Sequence, residues 1–421
     1  MKIQRTLIIA FVFFWTAGTA LGDMASNFGL GANALAQAGA YTGLADDFSA
    51  CYYNPAGLAY QQRPVFAHDR KGTAAYFGVG IADSRLWVKD PGSSSAYQPI
   101  PLLSFAQLGM TIGPSALGGI LPERRVYFGF ALYSPTDELI GYRMRNSSID
   151  RFFVFYDNEN RKFGFLADVA YKFSKYVSLG AGANVLAGAN TDTNVDFGQG
   201  GFTHNESSVI IIQAAPVAGL MLDFSDLKIG FTYRGEIKFN DYGKVALYAS
   251  GNQLITESFD WMKFFYPQQY AIGFSYPIVK ALLLSADATY INWSAYVDEE
   301  GDGRPQTRLF DTVVPRVGFR YSINNNANVS AGYAFLRSPV RDQTGVTNFM
   351  DSNKDLVSVG GSYTFGKAGF WKNPITLSAY AQDTIFQTRD VQKTQPVDQY
   401  QQGYSFGGQV FDAGVQFRFV W

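Results

Sequence analysis

The amino-acid sequence predicts an all-β fold: a transmembrane antiparallel β-barrel of about fourteen strands with an N-terminal plug in its lumen. Three observations predict it. Segments along the whole chain alternate apolar and polar residues with period 2, the strand signature. Of 421 residues, 16% are aromatic and only 16% charged, where an ordinary soluble domain carries about 25% charged residues. The chain also opens on an export signal, and no later stretch reaches the roughly 18 consecutive apolar residues of a spanning helix.

The signal comes first. Lys2 and Arg5 precede an apolar run from Leu7 to Trp15, followed by small residues from Thr16 to Gly22. Residues 1–22 read as a secretory signal peptide cleaved after Ala20-Leu21-Gly22, so the mature chain is expected to start at Asp23. An N-terminal membrane anchor is the competing reading, but its apolar run would need to be longer. No cysteine sits just after the cleavage point, which argues against a lipoprotein.

Composition then removes several function classes. Lys+Arg number 34 against 35 Asp+Glu, a net charge of −1, which leaves no polycation to hold a nucleic-acid backbone. The single Cys51 permits no intrachain disulfide, and His68 and His204 supply no recognisable catalytic or metal-binding motif. No enzyme activity, metal or cofactor is therefore expected. The acidic runs Asp298-Glu299-Glu300-Gly301-Asp302-Gly303 and Asp351-Ser352-Asn353-Lys354-Asp355 fit no full calcium loop.

The wall occupies residues 64–421. In its last segment Phe411, Ala413, Val415, Phe417, Phe419 and Trp421 share one face, opposite Asp412, Gly414, Gln416 and Arg418. Phe163, Phe165, Val169, Tyr171 and Phe173 oppose Lys162, Gly164, Asp168 and Lys172, and Val317, Phe319, Tyr321 and Ile323 oppose Arg316 and Arg320. A soluble sandwich also alternates; the aromatic load and the export signal favour the barrel, apolar outward and polar inward. Candidate strands lie near 64–79, 99–112, 124–135, 162–174, 175–189, 208–224, 226–239, 266–278, 279–295, 313–323, 327–337, 354–366, 374–387 and 408–421. Connections near Ser174-Lys175, Ser225, Val279-Lys280 and Asn324-Asn325-Asn326 are short, whereas Asp298 to Thr307 and Asp390 to Tyr404 are long and polar. Short turns on one side and long loops on the other belong to an outer-membrane barrel.

Residues 23–63 do not alternate. They are rich in Gly, Ala, Asn and Asp, with Asn54-Pro55 and Gly57 marking a turn. A barrel this wide needs filling if it is not to be an open water pore, and Tyr41, Phe48, Tyr52 and Tyr53 argue against a solvated periplasmic tail.

Within this stretch Gly39-Ala40-Tyr41, Ala45-Asp46-Asp47 and Tyr52-Tyr53-Asn54-Pro55-Ala56-Gly57-Leu58-Ala59 resemble the N-terminal hatch of the FadL/TodX family, outer-membrane transporters of long-chain fatty acids and hydrophobic hydrocarbons. The resemblance runs along the mature chain: RVYFGFALYSPTDEL is similar to the family's third strand and VPRVGFRYSINNNANVSAGYAFLRSPV to a late hairpin. It implies a fourteen-strand barrel closed by a hatch that carries Asp46, Asp47, Asn54, Pro55, Ala56 and Gly57. It also implies passive transport of a hydrophobic small molecule in the outer membrane of a Gram-negative bacterium, with lateral exit at a kinked third strand. The kink would fall at Ser134 and Pro135, since proline donates no ladder hydrogen bond; the competing reading is that Pro135 merely ends the strand at a loop. The implied surroundings are outer-membrane lipid and lipopolysaccharide. The C-terminal Trp421 resembles the signal read by the barrel-assembly machinery.

The segment Ile149 to Tyr156 offers a candidate extracellular groove with Phe152, Phe153 and Phe155 as contacts, or else an ordinary aromatic girdle. Arg143, Arg145 and Arg151 are candidate cations for a carboxylate head group, as surface arginines facing lipopolysaccharide would also be. The basic residue that fatty-acid members carry after the fifth strand is missing from Gly188 to Gly201, unless Arg234 or Lys238 substitutes, so an uncharged hydrocarbon stands beside a fatty acid as substrate. Two other classes stay open: a hydrophilic general porin, and a secretion-associated barrel that binds a protein partner.

Overall fold

The computed structural model describes residues 18–21, 24–60, 73–117, 125–136, 151–156, 162–198, 201–249, 252–296, 308–345, 347–366, 373–394 and 403–420. Fourteen strands form the wall: β1 Ala74–Lys89, β2 Leu103–Ile112, β3 Val126–Pro135, β4 Gly164–Lys172, β5 Val177–Gly198, β6 Gly201–Phe224, β7 Leu227–Arg234, β8 Gln269–Val279, β9 Leu282–Ile291, β10 Thr312–Ser322, β11 Ala327–Leu336, β12 Lys354–Phe365, β13 Ile375–Val391 and β14 Tyr404–Val420. Each pairs antiparallel with the next. The barrel closes where β1 meets β14, in register from Ala74 opposite Val420 to Lys89 opposite Ser405. Closure pairs the first and last strands with each other, as hydrocarbon demands because it offers no hydrogen-bond partner to a bare edge.

The alternation read from the sequence becomes inside and outside. On β8, Tyr270, Ile272, Phe274, Tyr276 and Ile278 all point outward, 40–48% exposed, while Gln269, Ala271 and Ser275 are buried. Asp412, Gln416 and Arg418 on β14 are buried facing the lumen, and Phe411, Val415 and Phe417 face out. The tight connections at 173–176, 225–226, 280–281 and 323–326 lie at one end, the periplasmic end by the rule that outer-membrane barrels turn tightly there.

Strand lengths are uneven at the other end. β2, β3 and β4 have 10, 10 and 9 residues, whereas β5 and β6 have 22 and 24, well past the 9–11 residues that cross a membrane. The expected strands near 175–189 and 208–224 were therefore too short, and Gly188 to Gly201 is the top of a long hairpin. Alternation fades there in the sequence: Thr191, Asp192, Thr193 and Asn194 follow one another with no apolar residue between them. The strand expected over 226–239 is also revised. It ends at Arg234, and Ile237–Ala249 and Asn252–Tyr266 form an additional hairpin. Gly243 to Ala249 of that hairpin pairs parallel with Thr191 to Phe197 of β5, covering the β5 edge left bare where β4 stops opposite Leu186.

Residues 24–60 fill the lumen as three short helical turns and a 3₁₀ segment, Pro55–Tyr60, almost wholly buried. Two wall glycines set how closely this hatch approaches. A Cβ at Gly230 of β7 would come within 2.0 Å of the Thr42 carbonyl oxygen, and one at Gly109 of β2 within 2.1 Å of the Phe48 ring. Replacing Gly109 with Leu should therefore unseat the hatch. In planar bilayers the wild type is expected to stay nearly closed to ions and Gly109→Leu to conduct at least about tenfold more, because an unplugged barrel of this size leaves a water-filled lumen. Equal conductance would show that the hatch does not seal the barrel.

Candidate functional site

The hatch is held by polar side chains that alternation turns inward, and most of these bonds go to hatch backbone. Gln107 of β2 accepts from Gly31 N at 2.9 Å, and Gln416 of β14 accepts from Ala32 N at 3.0 Å. Asp287 of β9 accepts from the amides of both Tyr41 and Thr42, at 2.9 and 2.7 Å. In the other direction Ser178 of β5 donates to Ala56 O at 2.9 Å, Thr232 of β7 to Tyr53 O at 2.7 Å, and Gln382 of β13 to Phe28 O at 2.8 Å. Irregular backbone inside a membrane protein survives only when its amides and carbonyls are satisfied in this way.

The hatch residues singled out in the sequence occupy two parts of that network. Asn54 donates from Nδ2 to Thr42 O at 3.0 Å and to Leu220 O of β6 at 3.1 Å, and its Oδ1 accepts from Ala56 N at 3.1 Å. It thus caps the turn formed by Pro55, Ala56 and Gly57 and ties that turn to the wall. Gly57 is pressed against Ala45, whose carbonyl oxygen would lie 2.3 Å from an added Cβ. Asp46 accepts from Arg320 of β10 at 3.0 Å and from the Tyr41 hydroxyl, and Arg320 also donates to that hydroxyl at 3.2 Å. Asp47 turns back into the hatch, accepting from Ser49 N and Oγ at 2.9 and 2.6 Å and from Asn33 at 3.1 Å.

Electrostatics within the hatch follow from burial. Burial first, then the charges of Asp46 and Asp47, pushes the Tyr41 phenol well above its ordinary range, so it remains a donor. Burial and then Asp46 likewise raise the Asp47 carboxyl. Arg320 and its lumen-facing neighbour Arg316 were visible in the sequence as the polar side of a strand, but not as anchors of a hatch nearly three hundred residues away.

Above the hatch, the backbone of Phe152–Phe153 pairs with Phe349–Met350 inside the barrel mouth. Phe152 packs edge-on against Phe349 at 5.4 Å, and Phe153 against Phe386 and Phe406, both at 5.7 Å. These two rings are fully buried in a closed aromatic layer. Phe155 lies deeper. It meets Trp293 edge-on at 5.3 Å, and its carbonyl accepts from the hatch residue Asn27 at 3.0 Å. Phe155, Tyr156, Trp293, Val314 and Leu336 wall a cavity of about 70 Å³ between hatch and mouth. Arg316, Arg337 and Lys354 stand at its margin, and Lys354 is paired with Asp351 and lies 5.1 Å over the Phe155 ring.

Of the candidate cations, Arg143 and Arg145 lie outside the described residues. Arg151 pairs with Asp90 and stacks over Tyr404 at 4.4 Å. Arg234 is committed to the hatch: it donates to Tyr52 O at 2.8 Å and to Gln269 at 2.7 Å, stacked over Tyr52. Lys238 is exposed and pairs with Glu236 at 3.4 Å. The cavity residues Trp293, Arg316, Leu336 and Arg337 carried no sequence signal as a group, because they come from three separate strand ends.

At Ser134 and Pro135, β3 keeps unbroken register with β2 out to Pro135 opposite Phe105, but its pairing with β4 ends at Tyr133 opposite Gly164. Thr136 N donates to Ser104 O on the β2 side, and strand alternation therefore turns the N of Pro135 towards β4. The donor that proline lacks falls where no β4 residue is paired to receive it. Ser134 Oγ donates to the Pro135 carbonyl at 2.8 Å.

Two outcomes are expected. Arg320→Met leaves Asp46 buried without its cation and should destabilise the assembled protein by about 3–5 kcal/mol, with the double variant Arg320→Met/Asp46→Leu recovering most of the loss; the midpoint of unfolding from detergent micelles reads both. For Asp47 the raised folded value means that its contribution to stability is fully present below the unfolded carboxylate value and is lost as pH rises through the folded one. Asp47→Asn should flatten the decline of the same midpoint as pH rises above the ordinary carboxylate range of about 4, and an unchanged slope would clear Asp47 of that role.

The chain matches a family model described as outer membrane protein transport protein (OMPP1/FadL/TodX) over residues 10–419. Alkane uptake protein A of Marinobacter nauticus is 21% identical over 405 residues, covering 88% of this chain and 85% of that protein. Among solved structures, a FadL homologue of Pseudomonas aeruginosa superposes with a TM-score of 0.60 at 15% identity, over 96% of this chain and 98% of its own. The toluene transporter TodX of P. putida gives 0.56 at 15%, over 94% and 99%. Those two likenesses establish the fold, and the family match extends over nearly all of the chain. The protein belongs to the OMPP1/FadL/TodX family of outer membrane transport proteins.

Proposed function

We propose that this protein moves hydrophobic small molecules across the outer membrane by holding them in the cavity beneath Phe155 and releasing them sideways into the bilayer. The observation that carries the reading is a cavity between hatch and aromatic mouth in which Phe155, Trp293, Ile291, Val314 and Leu336 face polar and cationic residues. A water-filled general porin has no use for such a site. The relatives named for alkane uptake and toluene transport support hydrocarbons as cargo. Arg316, which also lines the cavity, is placed to receive a carboxylate, so a fatty-acid head group is a second cargo class even though Arg234 is otherwise engaged.

The driving force is simple. The barrier for an apolar solute is the polar lipopolysaccharide layer, and each CH₂ that leaves water for hydrocarbon contributes about 0.8 kcal/mol. No energy source is needed. The exit we favour is beside Ser134 and Pro135, where the β3–β4 ladder has ended and no hydrogen bond must break. In this reading no substrate bond is made or cleaved; outer-membrane lipid and lipopolysaccharide surround the wall, and the barrel-assembly machinery inserts it. Export with cleavage after Gly22 would remove Gly18–Leu21, the segment that runs parallel to Met262–Phe265.

The test is uptake of labelled oleate, hexadecane and toluene by cells lacking their own transporter. Phe155→Asp places a charge in the cavity and should lower uptake by at least about tenfold, the equivalent of 1.4 kcal/mol of lost binding, with barrel assembly intact. Replacing Ser134 and Pro135 together with valine should also reduce uptake. Wild-type rates in Phe155→Asp would refute the cavity, and wild-type rates in the valine variant would move the exit elsewhere.

A further inference from the structure

The outside of the barrel carries a second concavity of opposite character. At the extracellular ends of β11, β12 and β13, Phe310, Arg337, Arg341, Asp342, Gln387 and Arg389 line a cleft of about 360 Å³. Gln387 fixes which way it faces. Its Nε2 donates to Asp355 Oδ2 at 3.1 Å, and Asp355 Oδ1 accepts at 2.6 Å from the hydroxyl of Tyr333. Tyr333 and Ile385 both point outward, each 42% exposed, with Val357 and Val359 further down the same wall. The cleft thus sits where the apolar belt gives way to the headgroup level of the outer leaflet.

Its charges are unbalanced. Arg389 is used internally: it donates to Val340 O at 2.9 Å, Asp351 O at 2.7 Å and Asp342 at 2.8 Å. Asp342 is the sole carboxylate among the described lining residues, and this pairing occupies it. The Arg341 guanidinium lies 4.0 Å over the Phe310 ring, and neither it nor that of Arg337 donates a hydrogen bond to any described residue. Two guanidinium forks, each with five N–H donors, therefore face one polar cleft with no counter-anion among the described residues. The ring beneath Arg341 holds that fork in place by cation–π attraction and leaves its edges free.

We propose that this cleft binds a phosphate group of a phosphorylated outer-leaflet glycolipid, whose acyl chains lie along Tyr333, Val357, Val359 and Ile385. A phosphate monoester presents three strong acceptor oxygens and close to two negative charges, which suits two arginine forks better than a single carboxylate does. The site concerns the lipid that surrounds the protein, not its cargo, and stands whether or not the transport reading holds.

The experiment purifies the full-length protein in detergent and measures, by native mass spectrometry, retention of added bisphosphorylated lipid A and of its dephosphorylated form. Wild type should retain the phosphorylated lipid, Arg337→Gln/Arg341→Gln at least fivefold less, and Arg337→Lys/Arg341→Lys an intermediate amount. The lysine pair and heat-modifiable migration on gels establish that loss of lipid is not loss of folding. Because Arg337 also walls the inner cavity, lipid retention and not uptake is the readout. Equal retention by wild type and the glutamine pair, or retention indifferent to the phosphates, overturns the proposal. Displacement of the lipid by millimolar inorganic phosphate, with no residual preference for lipid, overturns it too by assigning the cleft to free phosphate.

Discussion

Everything in this structure depends on the hydrogen bonds between lumen-facing side chains and hatch backbone. Hydrocarbon forces the wall to close, and a closed ring of fourteen strands is too wide for its own side chains to fill. The space is taken by some forty residues with almost no regular structure, whose amides and carbonyls would otherwise be stranded. Asp287, Thr232, Ser178, Gln107, Gln382 and Gln416 are small or flexible polar residues on six different strands, and each meets a specific backbone group. The hatch is thereby shaped by the wall, and the wall's glycines let it come close enough to be held.

That arrangement also separates the routes for water and for apolar solutes. The packed hatch closes the lumen along the barrel axis, with the Asp46–Arg320 pair, 9% and 11% exposed, deep in its seam with the wall. What stays open is the cavity beside Phe155 and Trp293, beneath the aromatic layer of Phe152, Phe153, Phe349 and Phe386. In the same wall the third and fourth strands stop short while the fifth and sixth run on. In the proposed route, the same irregularity, a defect in a porin, would supply a place for the wall to open without breaking a ladder.

Much of this was legible in the sequence, for stated reasons. Alternation located the wall strands because lipid on one side and hatch on the other impose opposite chemistry on successive residues, although the first, expected near 64–79, is found at Ala74–Lys89. Where lipid no longer faces the chain, the signal weakened. The upper halves of β5 and β6 read as loop, and the hairpin from Ile237 to Tyr266 was missed because its pairing with β5 is set by tertiary contact. Asn54 and Asp46 were found by their motif, whereas their partners Leu220, Thr42 and Arg320 required the fold. Phe155 was grouped with Phe152 and Phe153 by position, yet the structure gives it a different role: it faces the cavity while its neighbours close the mouth.

The central claim is that an apolar molecule occupies the cavity between Phe155 and Trp293. Quenching of tryptophan fluorescence by a brominated hydrocarbon tests it directly, since bromine quenches only at short range and Trp293 forms part of the cavity wall. The account predicts saturable quenching in the wild type and loss of the saturable component in Trp293→Phe. Saturable quenching that survives in Trp293→Phe, or its absence from the wild type, would contradict it.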